Sequence, residues 1–136
     1  MKGSYIILLE LKKDKTIQIG KIGNIIFKKG YYVYIGSALN GLEQRINRHL
    51  RKHKKIRWHI DYLLQHVIII DIFYKENDKK EECSLAKKFE RKLFSISNFG
   101  CSDCKCNTHL FYGALTDILN IINKVGMKQY LLNAKI

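Results

Sequence analysis

Arg45 and Glu82 are the two charged side chains whose spacing best suits chemistry on a phosphate. Leu42, Ile46 and Leu50 recur every four residues, which makes a buried stripe on one helix face. Arg45, four residues before His49, stands at the edge of that stripe. Its stem can pack while its planar guanidinium, charged at any working pH, takes two oxygens of one phosphate. A plain surface arginine is the competing account. Glu82 precedes Leu85, Ala86, Phe89 and Leu93 by three, four, seven and eleven residues, so it shares their inward face. A carboxylate turned inward is costly unless it is paired or binds a cation, and Mg2+ is the natural choice for one beside phosphate. A first-turn glutamate favoured by the helix dipole is the alternative, but Glu81 already serves the expected capping box. Tyr5, Tyr31, Tyr32 and Tyr34 all fall on expected strands. A phenol can hold or activate an attacking water beside a metal and an arginine, but composition alone does not choose among the four.

The charge balance points to the same class of partner. The chain has 136 residues, 25 Lys plus Arg against 12 Asp plus Glu, and a formal net charge of +13. That excess needs an acidic partner, either nucleic acid or an anionic membrane. A generally lysine-rich proteome would raise the total without clustering it. Here seven Lys/Arg fall between Glu43 and Arg57, with a single carboxylate. Arg48, Arg51, Lys52, Lys54, Lys55 and Arg57 are expected to point outward and grip a nucleic-acid backbone, most readily DNA. The first residues read as a strand and not as an apolar leader. The longest apolar run, Val67 to Ile70, is too short to span a bilayer. The expectation is a cytoplasmic protein with no membrane partner and with reduced thiols.

Two further groups could belong to a site. Cys101, Cys104, Cys106 and His109 offer four N/S ligands within nine residues, a set that zinc takes tetrahedrally. The spacing lacks the two separated pairs of ordinary zinc modules, so a compact loop with buried thiols stands beside structural Zn2+. Cys83 could join as a ligand or a disulfide partner. His59 and Asp61 are two apart on an expected helix and diverge. His59 is kept as a site candidate against a structural hydrogen-bonding role.

The elements that must carry these residues fit one domain, 1–136, with 46% hydrophobic residues and no proline, repeat or linker. Expected strands are Tyr5–Leu11, with one apolar face by alternation, and Tyr31–Ile35, ended by Gly36. Thr16–Ile19 and Asn24–Lys28 are expected to form a hairpin punctuated by Gly20 and Gly23. Val67–Tyr74, apolar on both faces, is expected at the centre of the sheet. Asn40 with Glu43, and Asp78 with Glu81, read as capping boxes for helices running to about His53 and Phe94. Trp58–Gln65 and Ala114–Val125 are further helices, the latter with Leu115, Ile118, Leu119 and Ile122 inward, and His109–Tyr112 is a short strand. Residues 113–136 form a C-terminal helical extension. The fold class is α/β, a mainly antiparallel sheet flanked by helices.

Gly3-Ser4-Tyr5 resembles the first half of the GIY-YIG nuclease signature, and Tyr34-Ile35-Gly36 matches its second half. YIGSALNGLEQRINRH, from Tyr34 to His49, follows that family's order of strand, glycine, helix, arginine and histidine. GYYVYIGSA, RHLRKHKKIRWHIDYLL, Glu82-Cys83 and FGCSDCKCNTHLF resemble the archaeal and bacterial subfamily called DUF123, or Uri-type endonucleases. The resemblance spans Gly3 to about Tyr112. It implies an α/β sandwich around a small antiparallel sheet, and hydrolysis of phosphodiester bonds in DNA with one divalent metal, Mg2+ or Mn2+, in a setting such as DNA repair. Carried over, Tyr5 and Tyr34 are the paired tyrosines, one of which orients or activates water. Arg45 stabilises charge on the attacked phosphate, His49 assists proton transfer or binds phosphate, and Glu82 holds the metal. Two features depart from the pattern: the hairpin lengthens the gap between Tyr5 and Tyr34, and the late asparagine has no clear match. A basic module that binds nucleic acid without cutting it is the competing function.

Overall fold

The computed structural model describes residues 1–77, 79, 81–100 and 107–130. Its centre is β1 (Gly3–Leu11), nine residues buried almost throughout. Alternation from Tyr5 predicts one apolar face, but Ile6 and Leu8 make the other face apolar too, and both are buried. On one side Tyr5, Ile7, Leu9 and Leu11 join a core with Leu42, Ile46, Ile60 and Leu63. On the other, Ile6 and Leu8 join Leu85, Ala86, Phe89, Ile118 and Ile122.

β4 (Gly30–Ala38) pairs antiparallel with β1 along its whole length, Tyr5 opposite Gly36. β5 (Ile68–Glu76) pairs on the other side of β1. With β6 (Phe94–Ser95), β7 (Leu110–Gly113) and β8 (Lys128–Gln129), the six-stranded antiparallel sheet has the order β6-β7-β4-β1-β5-β8. The hairpin β2 (Lys15–Ile19) and β3 (Gly23–Phe27) forms a separate two-stranded sheet. This inserted hairpin lengthens the chain between β1 and β4 without disturbing their pairing.

Four helices cover the sheet. α1 (Leu42–Leu50) and α2 (His59–Leu64) lie on the Tyr5 side, and α3 (Glu82–Glu90) and α4 (Leu115–Val125) on the Ile6 side. The chain is therefore α/β, an antiparallel sheet flanked by helices, as its patterning predicts.

Several local expectations are corrected. β5 lies next to the short β8, near the sheet edge, and not at the centre, and Ile68 and Ile70 remain exposed. Asn40 does not cap α1. Gly41 occupies the N-cap at φ 151°, a conformation that favours glycine, with no side-chain cap bond. α3 likewise starts after Glu81 without a side-chain cap and ends at Glu90, short of Phe94, which lies in β6. In α4, Ile121 is buried and Leu119 faces out.

Gly36 does not end β4; it lies inside the strand. A Cβ at this position would fall onto the Tyr5 ring. The glycine is needed because a tyrosine side chain lies across the backbone, not because the chain turns there. Gly36→Ala is therefore expected to force Tyr5 aside and lower unfolding stability by about 1–3 kcal/mol, read from urea melts. A melt unchanged from wild type would show that the ring has room to move.

Candidate active site

The end of the sheet where Tyr5 faces Gly36 opens into a cleft of about 500 Å3. β1 supplies Tyr5, β4 supplies Tyr34 and Ser37, α1 supplies Arg45, α2 supplies His59 and α3 supplies Glu82. Six of the residues singled out in the sequence, Tyr5, Tyr34, Arg45, His59, Glu82 and His109, thus line one concavity although they span more than a hundred positions. Arg57 lines it as well and is exposed.

Arg45 is held from two sides. Its guanidinium lies 4.5 Å from the centre of the Trp58 ring, and one of its nitrogens donates to the Ser37 carbonyl at 3.3 Å. The stacked ring and the carbonyl pre-set the fork at the cleft wall.

Tyr5 is buried, and its hydroxyl lies 2.6 Å from His49 Nε2. Burial pushes the Tyr5 pKa up despite the nearby Arg45, and burial with Lys54 close by holds the His49 pKa down at about 3. Both groups are therefore neutral at working pH. The phenol is the better donor and the imidazole nitrogen the better acceptor, so the Tyr5 proton points at His49. The remaining lone pairs of the phenol oxygen are left to accept from a group in the cleft. His49 itself is only 2% exposed and does not line the cleft, so it supports Tyr5 and has no direct reach to a phosphate. It takes a core position on α1 where the stripe of leucines and isoleucines predicts an edge one.

Tyr34 packs edge-on against His49 and Phe99, each with ring centres 6.2 Å apart. His59 Nδ1 accepts the Gly100 backbone N–H at 2.9 Å, which leaves the proton of the neutral ring on Nε2, and burial lowers its pKa. Burial also lowers the His109 pKa, partly offset by Glu82 nearby.

Glu82 opens α3 and is 8% exposed, with Oε2 buried and without a hydrogen-bond partner. An orphaned carboxylate oxygen in a cleft suits a divalent cation. Among the described residues no group of three or more His, Cys, Asp or Glu forms a ready metal cage. Mg2+ needs none, because it keeps several waters and binds proteins through one or two carboxylates.

The basic segment divides in two. Arg51, Lys52, Lys55 and Arg57 are exposed, as expected of backbone grips. Arg48 and Lys54 are not free to act this way. Arg48 makes a two-bond fork with Asp61, 2.9 Å on each side, and its guanidinium also lies 4.2 Å from the Trp58 ring centre. Lys54 Nζ donates to the carbonyls of Arg48 and His49 at the end of α1. Asp61, fully buried, also accepts the backbone N–H groups of Arg57 and Trp58. A basic run shows charge, but not which cations a buried carboxylate will claim.

Cys101, Cys104 and Cys106 lie outside the described residues. Cys83 is disulfide-bonded, against the expectation of reduced thiols. No helix among the described residues is long and apolar enough to cross a membrane.

The residues that build this cleft fall within one sequence family. Residues 4–130 match the family described as a domain of unknown function, DUF123. The chain belongs to the DUF123 family. Every cleft residue of the DUF123 domain named above lies inside that match. No curated protein and no solved structure matches the chain.

The Arg48–Asp61 pair yields a stability prediction. Burial works to raise the Asp61 pKa, but the two Arg48 bonds and the backbone N–H groups outweigh it and hold the carboxyl below its usual value. A depressed folded pKa contributes stability above the unfolded value of about 3.9. That contribution is lost as pH falls from there through the folded pKa. Asp61→Asn should cost about 3 kcal/mol at pH 7 by leaving Arg48 without its partner, and the gap from wild type should shrink below pH 4. Chemical denaturation at pH 7 and pH 3 measures both, and a gap that stays constant with pH would show that Asp61 carries no linked charge.

Proposed function

We propose that this DUF123 domain is a metal-dependent endonuclease that hydrolyses phosphodiester bonds in DNA, of the kind that the GIY-YIG resemblance implies. The observation that carries the reading is the convergence of Tyr5, Tyr34, Arg45 and Glu82 on one cleft. A phosphodiester is an anion that gains charge on its non-bridging oxygens as water attacks. Hydrolysis needs a fixed cation beside those oxygens, a group that aims the water, and help for the departing alkoxide.

The cleft residues divide these tasks. Arg45, braced by Trp58 and the Ser37 carbonyl, sets two N–H donors toward the phosphate oxygens. Tyr5, its own proton turned to His49, presents an acceptor oxygen that orients the attacking water. Tyr34, on the neighbouring strand and packed on Phe99, lines the same cleft and would limit where the water can sit. Glu82 would hold a hydrated Mg2+ or Mn2+, which when bound supplies Lewis-acid stabilisation of the same charge. In the balanced reaction water adds to phosphorus and gives up a proton to solvent, one P–O ester bond breaks, and the leaving oxygen takes up a proton from solvent. Arg51, Lys52, Lys55 and Arg57 would hold the flanking backbone by charge alone.

A non-catalytic basic module is the second reading. The exposed cations between Arg51 and Arg57 favour it, since they would bind nucleic acid whether or not the cleft turns over.

Labelled single-stranded, duplex and branched DNA incubated with Mg2+ or Mn2+ separates the two. Cleavage by the wild type is expected, slowed at least about 100-fold by Arg45→Ala, Glu82→Gln or Tyr5→Phe. Neutralising Arg51 or Lys55 should instead weaken binding and flatten its salt dependence by about one unit of slope each. Tight, salt-dependent binding with no product on any substrate would sink the nuclease and leave the binding module.

A further inference from the structure

Glu82 is not the only orphan at this end of the sheet. The Ser4 and Ser37 hydroxyls are also buried without a hydrogen-bond partner. The two serines are opposite one another across the β1–β4 ladder, one step from the Tyr5–Gly36 pair. Directly opposed residues carry their Cβ atoms about 5 Å apart. Strand alternation puts Ser4 on the face of Ile6 and Ser37 on the face of Ile35. Those two isoleucines pack in the core with Leu85 and Ala86 of α3, the helix that begins at Glu82. Ser37 and Glu82 line the same cleft, while Ser4 is fully buried behind it.

Three oxygens therefore share one sheet face and one end of the fold, and each lacks a partner. A buried hydroxyl without a partner carries a desolvation cost of about 1–3 kcal/mol. A serine on a strand facing a helix can be replaced by alanine at no steric cost, so packing does not explain two of them side by side. The serines are too weak as ligands to displace water from a hard cation. They are well suited to accept hydrogen bonds from waters that such a cation holds and polarises. The backbone of Ser37 already serves the other half of the cleft, because its carbonyl holds Arg45.

We propose that the hydroxyls of Ser4 and Ser37 hold the water shell of a divalent cation whose direct ligand is Glu82. This rests on the reading of Glu82 as a cation ligand given above, and it goes further by assigning the outer partners. One residue, Ser37, then ties the cation to the phosphate-binding arginine: its hydroxyl orders the water shell while its carbonyl positions Arg45.

The test uses the full chain with Mn2+ alone and no nucleic acid, following the free ion by electron paramagnetic resonance. Wild type should bind Mn2+, and Glu82→Gln should lose the site. Ser37→Ala and Ser4→Ala should each weaken Mn2+ binding by about 10- to 100-fold, while Ser37→Thr, which keeps the hydroxyl, retains it. Thermal melts without metal guard against a folding artefact. Ser4→Ala should melt at or above the wild-type temperature, because it removes an unsatisfied group, and should gain less than wild type from added Mn2+. If both alanine variants bind Mn2+ as wild type does while Glu82→Gln does not, the serine shell is wrong and Glu82 remains a ligand. If Glu82→Gln also binds like wild type, the cation reading of the cleft falls with it.

Discussion

The Tyr5 ring lies across Gly36, where a side chain would otherwise stand, and its hydroxyl reaches 2.6 Å to His49. That single placement couples three parts of the molecule. It requires the β1–β4 register to bring Tyr5 opposite a residue without a Cβ. It requires α1 to present an imidazole, and not another aliphatic side chain, at the buried end of its stripe. It also brings a ring that is buried in the core to the wall of the cleft, where Tyr5 is one of the lining residues. A shift of one residue in the ladder would turn Tyr5 to the opposite face and dissolve the site.

A second network stands behind the first. Asp61 is fully buried, yet every part of its environment donates to it: the Arg48 fork and two backbone N–H groups. Arg48 and Arg45 both lie against Trp58. The buried carboxylate thus anchors one arginine so that the indole between the two elements is held for the other. The cost of desolvating Asp61 is met by a complete set of partners. Arg51, Lys52, Lys55 and Arg57 stay on the surface, where their charge acts over a longer range and is screened by salt.

The Glu82 side of the cleft is built on the opposite principle. Around Asp61 the donors are all present, whereas Glu82, Ser4 and Ser37 have buried oxygens without partners. The fold thus satisfies one buried carboxylate fully and leaves one oxygen of another without a hydrogen-bond partner. The unpartnered Glu82 oxygen is what supports the cation proposed at α3.

The α/β class, the inserted hairpin and the inward face of Glu82 were all legible in the sequence, because they depend on periodicity, and periodicity is local. Candidate residues could be named from the sequence because few residue types suit phosphate chemistry, but that Tyr5, Tyr34, Arg45, His59, Glu82 and His109 line one cleft came only from the structure. The sequence could not say which strand was central. β1 and β5 both carry apolar runs, and only the strand pairing and the burial of both faces of β1 decided between them. Nor could it say that Gly36 serves the Tyr5 ring and not a turn, that Gly41 replaces Asn40 at the α1 cap, or that His49 is buried behind the cleft. Arg48 and Arg51 look alike in sequence, and a carboxylate thirteen positions away from Arg48 makes one structural and leaves the other exposed. What the sequence determined by itself was the inventory of groups and the faces of the elements that carry them. The tertiary structure decided which of those groups meet, because contacts across strands and between helices depend on register and on burial, and neither is written in the spacing of any one segment.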